Sequence, residues 1–280
     1  MIRIEGVGHA FGAAEDPRRV VALESTTFEV ARGELLCLIG PSGCGKSTLL
    51  NVIGGLATPS TGRVTIDGRT VTGPSPQKVA FVFQDNTLFP WRTVIDNVKL
   101  GMVYQGVPKS EHDERARESL HAVGLMEFAE HYPAQLSGGM KQRAQLARAL
   151  GLRTEILLMD EPFAALDEQT RMVLGEDLSV LLSRSNKTIV FVTHSLGEAV
   201  FLADRVAVFS ARPGTIKQII PVDEPHPRKP SFMTAPKFHA LRDQLYGLLH
   251  DEIRKALSES TQPRRRYDQA VSAESDGEHT

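Results

Sequence analysis

Nine consecutive residues, Gly40-Pro41-Ser42-Gly43-Cys44-Gly45-Lys46-Ser47-Thr48, constrain this chain more than any other stretch. They match the pattern G-x-x-x-x-G-K-[ST]. The run before them, Leu35–Ile39, is short and wholly apolar, and the run after them, Leu49-Leu50-Asn51-Val52-Ile53, opens as an apolar helix. Strand, loop and helix are therefore expected in that order. Glycines let the backbone turn sharply and approach a ligand closely. Their N–H groups, with the helix N-terminus, form a ring of donors suited to a polyphosphate. Lys46 is expected to reach the β- and γ-phosphates of a nucleotide, and Ser47 to ligate Mg²⁺. All nine residues are candidate nucleotide-binding positions.

A strand ending in such a loop needs parallel neighbours. Short apolar runs at 79–83, 156–159, 189–192 and 206–209 are rich in β-branched or large apolar residues and read as buried parallel strands. Helical patterns between them give an α/β architecture. Leu23, Phe28, Val30 and residues 64–66 suggest a smaller, partly antiparallel β region. Residues 87–151 differ: they hold helix-like stretches at 114–123 and 139–150 and no convincing strand, so they read as a helical insertion in the core.

The main domain is expected to cover 1–220. Prolines 221, 225, 227, 230 and 236 then suggest a linker or an extended crossing segment. Phe238, Leu241, Leu245, Leu248, Leu249, Ile253 and Leu257 have amphipathic helical spacing, which serves either the chain's own domain or a partner. Residues 259–280 are polar and charged, with three arginines at 264–266, and disorder is expected there.

Composition excludes several function classes. Of 280 residues, 41% are hydrophobic and 24% charged, which allows a sizeable core. A net charge of −2 gives no strong field toward nucleic acid or anionic lipid, and 6% aromatics argue against base stacking, so no nucleic-acid partner is expected. Two cysteines, Cys37 and Cys44, make no disulfide framework and fit free thiols in a reducing compartment. No apolar run reaches the roughly 18 residues needed to span a bilayer, and the start, MIRIEGVGHAFG, lacks the charge pattern of a signal peptide. Any membrane role must come through a partner.

The run at 156–159 ends in Asp160-Glu161-Pro162. A buried strand thus delivers two carboxylates to its C-terminal edge, where ligands sit in open α/β sheets. Asp160 suits the Mg²⁺ shell. Side chains alternate along a strand, so Glu161 points elsewhere and suits polarisation of an attacking water.

Leu136-Ser137-Gly138-Gly139-Met140-Lys141-Gln142-Arg143 resembles the signature motif of ATP-binding-cassette (ABC) ATPases. Ser137, Gly138 and Gly139 again offer N–H groups at a helix N-terminus, a second phosphate-binding surface. Other residues fit the same family in order. Gln84 resembles the Q-loop glutamine that senses the γ-phosphate and Mg²⁺. Ala165-Leu166-Asp167 resembles the D-loop, His194 the switch histidine, and Phe11 the aromatic that stacks on adenine, where many relatives have Tyr. The resemblance covers about residues 2–220. It implies a P-loop NTPase (RecA-like) α/β core with an antiparallel β subdomain and a helical insertion subdomain. Phe89-Pro90-Trp91, the stretch Asp160-Glu161-Pro162-Phe163-Ala164-Ala165-Leu166-Asp167 followed by Gln169-Thr170-Arg171, and Ser210-Ala211-Arg212-Pro213-Gly214 resemble the nitrate, sulfonate and taurine importer branch. Ala164 stands where that branch more often has glycine.

The family resemblance implies an ATP hydrolase that uses ATP and Mg²⁺. Its working unit is a head-to-tail pair, each ATP lying between Lys46 of one chain and Ser137 of the other. Glu161, His194, Lys46 and Gln84 are the implied catalytic residues, and Ser47, Gln84 and Asp160 the implied metal residues. Integral membrane permease subunits and a separate solute-binding protein are the implied partners, at the cytoplasmic face of the cell membrane. Soluble ABC ATPases of DNA repair share the motifs but usually carry a long coiled coil between cradle and signature; here about 90 residues intervene without sustained heptads. ABC translation factors usually carry two cassettes per chain. An exporter subunit is the alternative, since the cassette itself does not encode direction.

Overall fold

In the computed structural model, which describes residues 1–13, 15–164 and 166–260, the run before the glycine-rich loop is β3 (Leu35–Ile39), inside a six-stranded sheet. β8 (Thr188–Val192) and β9 (Arg205–Phe209) flank it, both parallel. β7 (Ile156–Asp160) pairs parallel with β8, and β6 (Val79–Val82) with β7 at one edge. β10 (Ile216–Pro221) closes the other edge, antiparallel to β9. A second sheet of β1 (Ile2–Phe11), β2 (Val20–Val30), β4 (Thr61–Ile66) and β5 (Arg69–Thr70) is antiparallel, in the order β2-β1-β4-β5.

Every residue of β3, β7 and β8 is buried. The alternation of side chains explains how. Leu36 and Leu38, Leu158, and Val190 and Val192 point to one face, where they meet α1 (Lys46–Ile53) and, beyond it, Ile2, Ile4, Val30 and Val64 of the second sheet. Leu35, Cys37 and Ile39, Leu157 and Met159, and Ile189 and Phe191 point to the other face and a helical core. A parallel sheet covered on both faces requires such unbroken apolar runs.

Between β6 and β7 lie α2 (Val94–Tyr104), α3 (Lys109–Ala122) and α4 (Gly138–Leu150), with short 3-10 turns at Met126–Phe128 and Pro133–Gln135. No strand occurs among residues 87–151. α3 starts five residues before 114, directly after Pro108, whose fixed φ suits a helix entry. Ala116, Ala144 and Ala147 are fully buried where α2, α3 and α4 meet.

The prolines after 220 do not make a spacer. Pro221 ends the edge strand β10, where its missing N–H breaks no ladder. The next residues fold back onto the domain as a strap. Arg228, 4% exposed, donates to the carbonyls of Val200, Phe201, Val222 and Glu224 at 2.9–3.2 Å. Burial pulls its guanidinium down to about 10, which leaves it charged at neutral pH. The proline spacing is visible in sequence, but two of the four carbonyls that need Arg228 come from α6 (Leu196–Leu202), 27 and 28 positions back along the chain. Phe232, in the short helix Pro230–Thr234, packs edge-on against Phe238 of α7 (Pro236–Ser260). α7 buries Phe238, Leu245 and Leu249 and leaves Ile253 and Leu257 exposed. It continues to Ser260, past the point where disorder was expected; residues 261–280 lie outside the described residues. Among the described residues no helix is long and apolar enough to cross a membrane.

Candidate functional site

The C-terminal ends of four neighbouring strands converge on one cleft, the position expected for a ligand in an open α/β sheet. β3 leads to the glycine-rich loop, β6 to Gln84, β7 to Asp160 and Glu161, and β8 to Thr193 and His194. The cleft measures about 320 Å³. Ser42, Gly43, Gly45, Lys46, Ser47 and Thr48 form its floor. Gln84, Glu161 and His194 stand on one side, Phe11, Val20 and Ala22 on the other.

The loop needs its glycines. Gly43 and Gly45 take φ of +74° and +100°, and a Cβ on Gly45 would lie 2.7 Å from the Ala22 carbonyl oxygen. Gly45 caps α1 with no side-chain acceptor, so the first N–H groups of the helix remain for a ligand. Lys46 is 5% exposed, and its Nζ donates to the carbonyl oxygens of Gly40 and Pro41, both at 2.9 Å. Gly40, Pro41 and Cys44 lie behind the floor rather than in it: Gly40 packs on Phe209, and Cys44 is 1% exposed in the apolar core. Burial raises the Cys44 thiol and raises the Cys37 thiol well above its usual range, so both stay neutral.

Asp160 is 8% exposed. Burial raises its carboxyl more than a hydrogen bond from Ser47 lowers it, and its Oδ1 has no partner. An orphaned carboxylate oxygen beside a serine hydroxyl fits a hard divalent cation. Among the described residues no cluster of three or more His, Cys, Asp or Glu could hold a metal, and a hard cation here would complete its shell with other oxygens, such as those of water or phosphate.

Glu161 sits at φ +48°, a left-handed conformation that costs a non-glycine residue on the order of 1 kcal/mol. Its N–H donates to the Val192 carbonyl at 3.0 Å, which holds that turn against β8. The result aims the carboxylate across the cleft. His194 Nε2 lies 2.6 Å from Glu161 Oε1, and Gln84 Nε2 donates to Oε2 at 3.5 Å. Behind His194, Thr193 Oγ1 donates to Glu198 Oε2 at 2.5 Å and accepts from Ser195 N–H at 3.0 Å. Glu198 Oε1 lies 3.3 Å from Arg171 Nε, and Arg171 Nη2 donates to the Leu166 carbonyl at 3.1 Å. Glu198 and Arg171 thus tie the segment bearing His194 to the one bearing Glu161. Neither was legible as a site residue, because charged residues on helices are usually solvated.

Phe11 is 54% exposed at the mouth, its ring 4.8 Å from that of His9 and edge-on to it. Ser137, Gly138 and Gly139 do not line the cleft. They start α4 at the surface, and Ser137 Oγ accepts from Met140 N–H at 3.3 Å as its N-cap. Arg212, from the β9–β10 hairpin, does line the cleft and went unassigned in the sequence. Past Gln84, the fully buried Asn97 builds the 89–93 loop: its Oδ1 accepts from Phe89 N–H at 2.7 Å, and its Nδ2 faces the carbonyls of Phe89, Arg92 and Thr93. Trp91 stands 69% exposed on that loop.

The chain is similar to known proteins in sequence and in fold. The pattern of the ABC transporter family matches residues 23–164. The nitrate import ATP-binding protein NrtD of Synechocystis sp. is 44% identical over 236 residues, 82% of this chain and 88% of that protein. The taurine import ATP-binding protein TauB of Rhizobium johnstonii is 43% identical over 260 residues, 89% and 98% of the two chains. Among solved structures, a dimeric ATP-binding cassette in a post-hydrolysis state with ADP and Pi superposes with a TM-score of 0.72 at 32% identity, covering 80% of this chain and all of that one. With its phosphate cradle, acid pair and histidine around one cleft, the chain belongs to the ABC transporter family, as an ATP-hydrolysing ATP-binding subunit.

Proposed function

We propose that this subunit energises an importer of a small anionic or zwitterionic solute of the nitrate, sulfonate or taurine kind. The solute class rests on the import proteins it is similar to. The chain works as a head-to-tail pair, because Ser137, Gly138 and Gly139 lie outside the cleft and need a cradle from another copy. Its integral membrane partners dock on the surface around Trp91, and a separate solute-binding protein delivers the cargo. The pair sits at the cytoplasmic face of the membrane through those partners.

The observation that carries hydrolysis is the Glu161 carboxylate, held over the cradle between His194 and Gln84. ATP lies along the loop 40–48, its adenine against Phe11. Ser47 and Asp160, with Gln84, would hold Mg²⁺, which would neutralise charge on the phosphates. Glu161 accepts a proton from the attacking water as the water oxygen bonds to the γ-phosphorus. The bond from that phosphorus to the β–γ bridging oxygen breaks, giving ADP and phosphate. Lys46 and His194 stabilise the charge on the transferring group. ATP binds the closed pair better than the open one, so binding closes it and hydrolysis releases it.

Glu161→Gln keeps the shape and removes the base. Hydrolysis is expected to fall by roughly 10²- to 10⁴-fold. ATP binding is retained, and ATP-dependent dimers accumulate in size-exclusion chromatography. Normal turnover by this variant defeats the assignment of Glu161.

A further inference from the structure

The hairpin between β9 and β10 is hydrogen-bonded both to β2 and to α7. Gly214 N–H donates to the Ala22 carbonyl at 2.9 Å, and Glu24 N–H donates to the Gly214 carbonyl at 3.0 Å, which stitches the turn to β2. A Cβ on Gly214 would sit 1.8 Å from the Cys44 carbonyl oxygen, so glycine alone lets the turn close on the back of the cradle. From the opposite side α7 reaches in. Glu252, 3% exposed, accepts from Ala211 N–H at 2.9 Å and pairs with Lys217 at 2.9 Å. Burial alone would raise its carboxyl, but the Ala211 amide with Lys217 and Lys255 holds it down to about 2. It is therefore a fixed anion at neutral pH.

Arg212 is suspended between these two anchors. Its Nε donates to the Gly43 carbonyl at 3.0 Å, and its Nη2 stands 2.8 Å from where a Cβ on Gly43 would be. Among the described residues its terminal nitrogens find no acceptor, and the side chain faces the cleft beside Ser42 and Gly43. The fork of a guanidinium matches a phosphate group in two bonds. The other cation on the cleft floor, Lys46, has two donors engaged with its own loop. A polyphosphate in the cradle thus meets a second, uncommitted cation, already oriented.

We propose that Arg212 is a nucleotide-contacting residue whose terminal nitrogens bind the polyphosphate, and that Glu252 on α7 is the positioning residue that holds it there. This rests on the proposed binding of ATP along the loop 40–48. It gives the C-terminal helix, which lies beyond the residues matched by the family pattern, a direct route to the nucleotide.

The test is calorimetry of the full chain with Mg-ATP and Mg-ADP at several salt concentrations, for wild type, Arg212→Gln, Arg212→Lys and Glu252→Gln. Arg212→Gln is expected to weaken both nucleotides about tenfold, the size of one lost charge-assisted bond. It also flattens the salt dependence of Kd, because one charge has left the contact. Arg212→Lys recovers part of both. Glu252→Gln weakens binding a few-fold, and adds nothing on top of Arg212→Gln if the two act as one unit. Wild-type affinity and wild-type salt dependence in Arg212→Gln overturn the contact. A lowered melting temperature with unchanged affinity in that variant also overturns it, since that outcome describes a purely structural arginine. Equal, additive losses from the two variants overturn the positioning role of Glu252. Failure of the wild-type chain to bind ATP is a different result, and it removes the proposed function as well.

Discussion

Two stretches of this chain place glycines at a helix N-terminus, and they differ in everything else. The first feeds α1. Gly45 leaves the opening N–H groups of that helix uncapped, and Lys46, Asp160, Glu161, His194 and Gln84 crowd around them. The second feeds α4. There Ser137 caps the helix with its own hydroxyl, and the surface around Ser137 and Gly138 is exposed. Both have the donors that an anion needs. Only the first has the carboxylate, the imidazole and the buried cation that chemistry on a phosphate needs. Donor geometry therefore accounts for binding, and neighbours account for hydrolysis. On the proposed head-to-tail pairing, one chain carries a nearly complete site and a second set of donors that completes another.

The comparison breaks most severely at Lys46. Lys46→Ala is expected to weaken ATP binding by at least about 100-fold, the usual loss when one partner of a buried charge contact is cut away. Calorimetry of the full chain checks it, and an unchanged Kd sinks the cradle as the primary site.

Gly138→Asp probes the second stretch with the opposite sign for stability and for function. A carboxylate in the first turn of α4 meets the positive end of the helix dipole, so the melting temperature should hold or rise slightly. The same carboxylate repels a triphosphate presented by another chain. ATPase activity is expected to fall by about tenfold or more, the scale of a like-charge clash at an interface. ATP affinity of the isolated chain should not change. Mixing this variant with Lys46→Ala should restore some activity, because one of the two composite sites in the mixed pair is intact. Loss of ATP affinity in Gly138→Asp alone would mean that the two stretches serve one chain, and the head-to-tail arrangement would fail.

The same contrast explains what the sequence made legible. The cradle is local: a strand, six loop residues and a helix are contiguous, so their chemistry survives being read as a string. The strands are legible too, since burial on both faces forces unbroken apolar runs. What escaped is non-local or conformational. Arg212 meets Gly43 across 169 positions, and Glu252 meets Ala211 across 41. Neither pair has a spacing that marks it. The left-handed turn at Glu161 is carried by a residue type that gives no hint of positive φ, because the bond from its N–H to Val192 enforces it. The prolines at 221–236 suggested a spacer because composition cannot show that Arg228 has four carbonyls waiting for it. Ser137, Gly138 and Gly139 were legible as a motif, but their separation from the cleft was a matter of tertiary structure.

The gentlest test separates two duties of one hydroxyl. Ser137 Oγ accepts from Met140 N–H, and an N-cap removed to alanine costs about 1 kcal/mol. For a chain of this size that is a fall of roughly 2–4 °C in melting temperature. If capping is its whole duty, Ser137→Ala lowers the melting temperature and leaves ATPase activity alone at temperatures well below unfolding. If the hydroxyl also donates to a phosphate held by the other chain, activity falls a few-fold as well, in line with one neutral donor lost. The activity loss should then persist in Ser137→Gly, which keeps most of the capping stability because glycine is tolerated at an N-cap. A hydroxyl that serves only its own helix would leave both variants fully active, and the second stretch would act on nucleotide through its backbone alone.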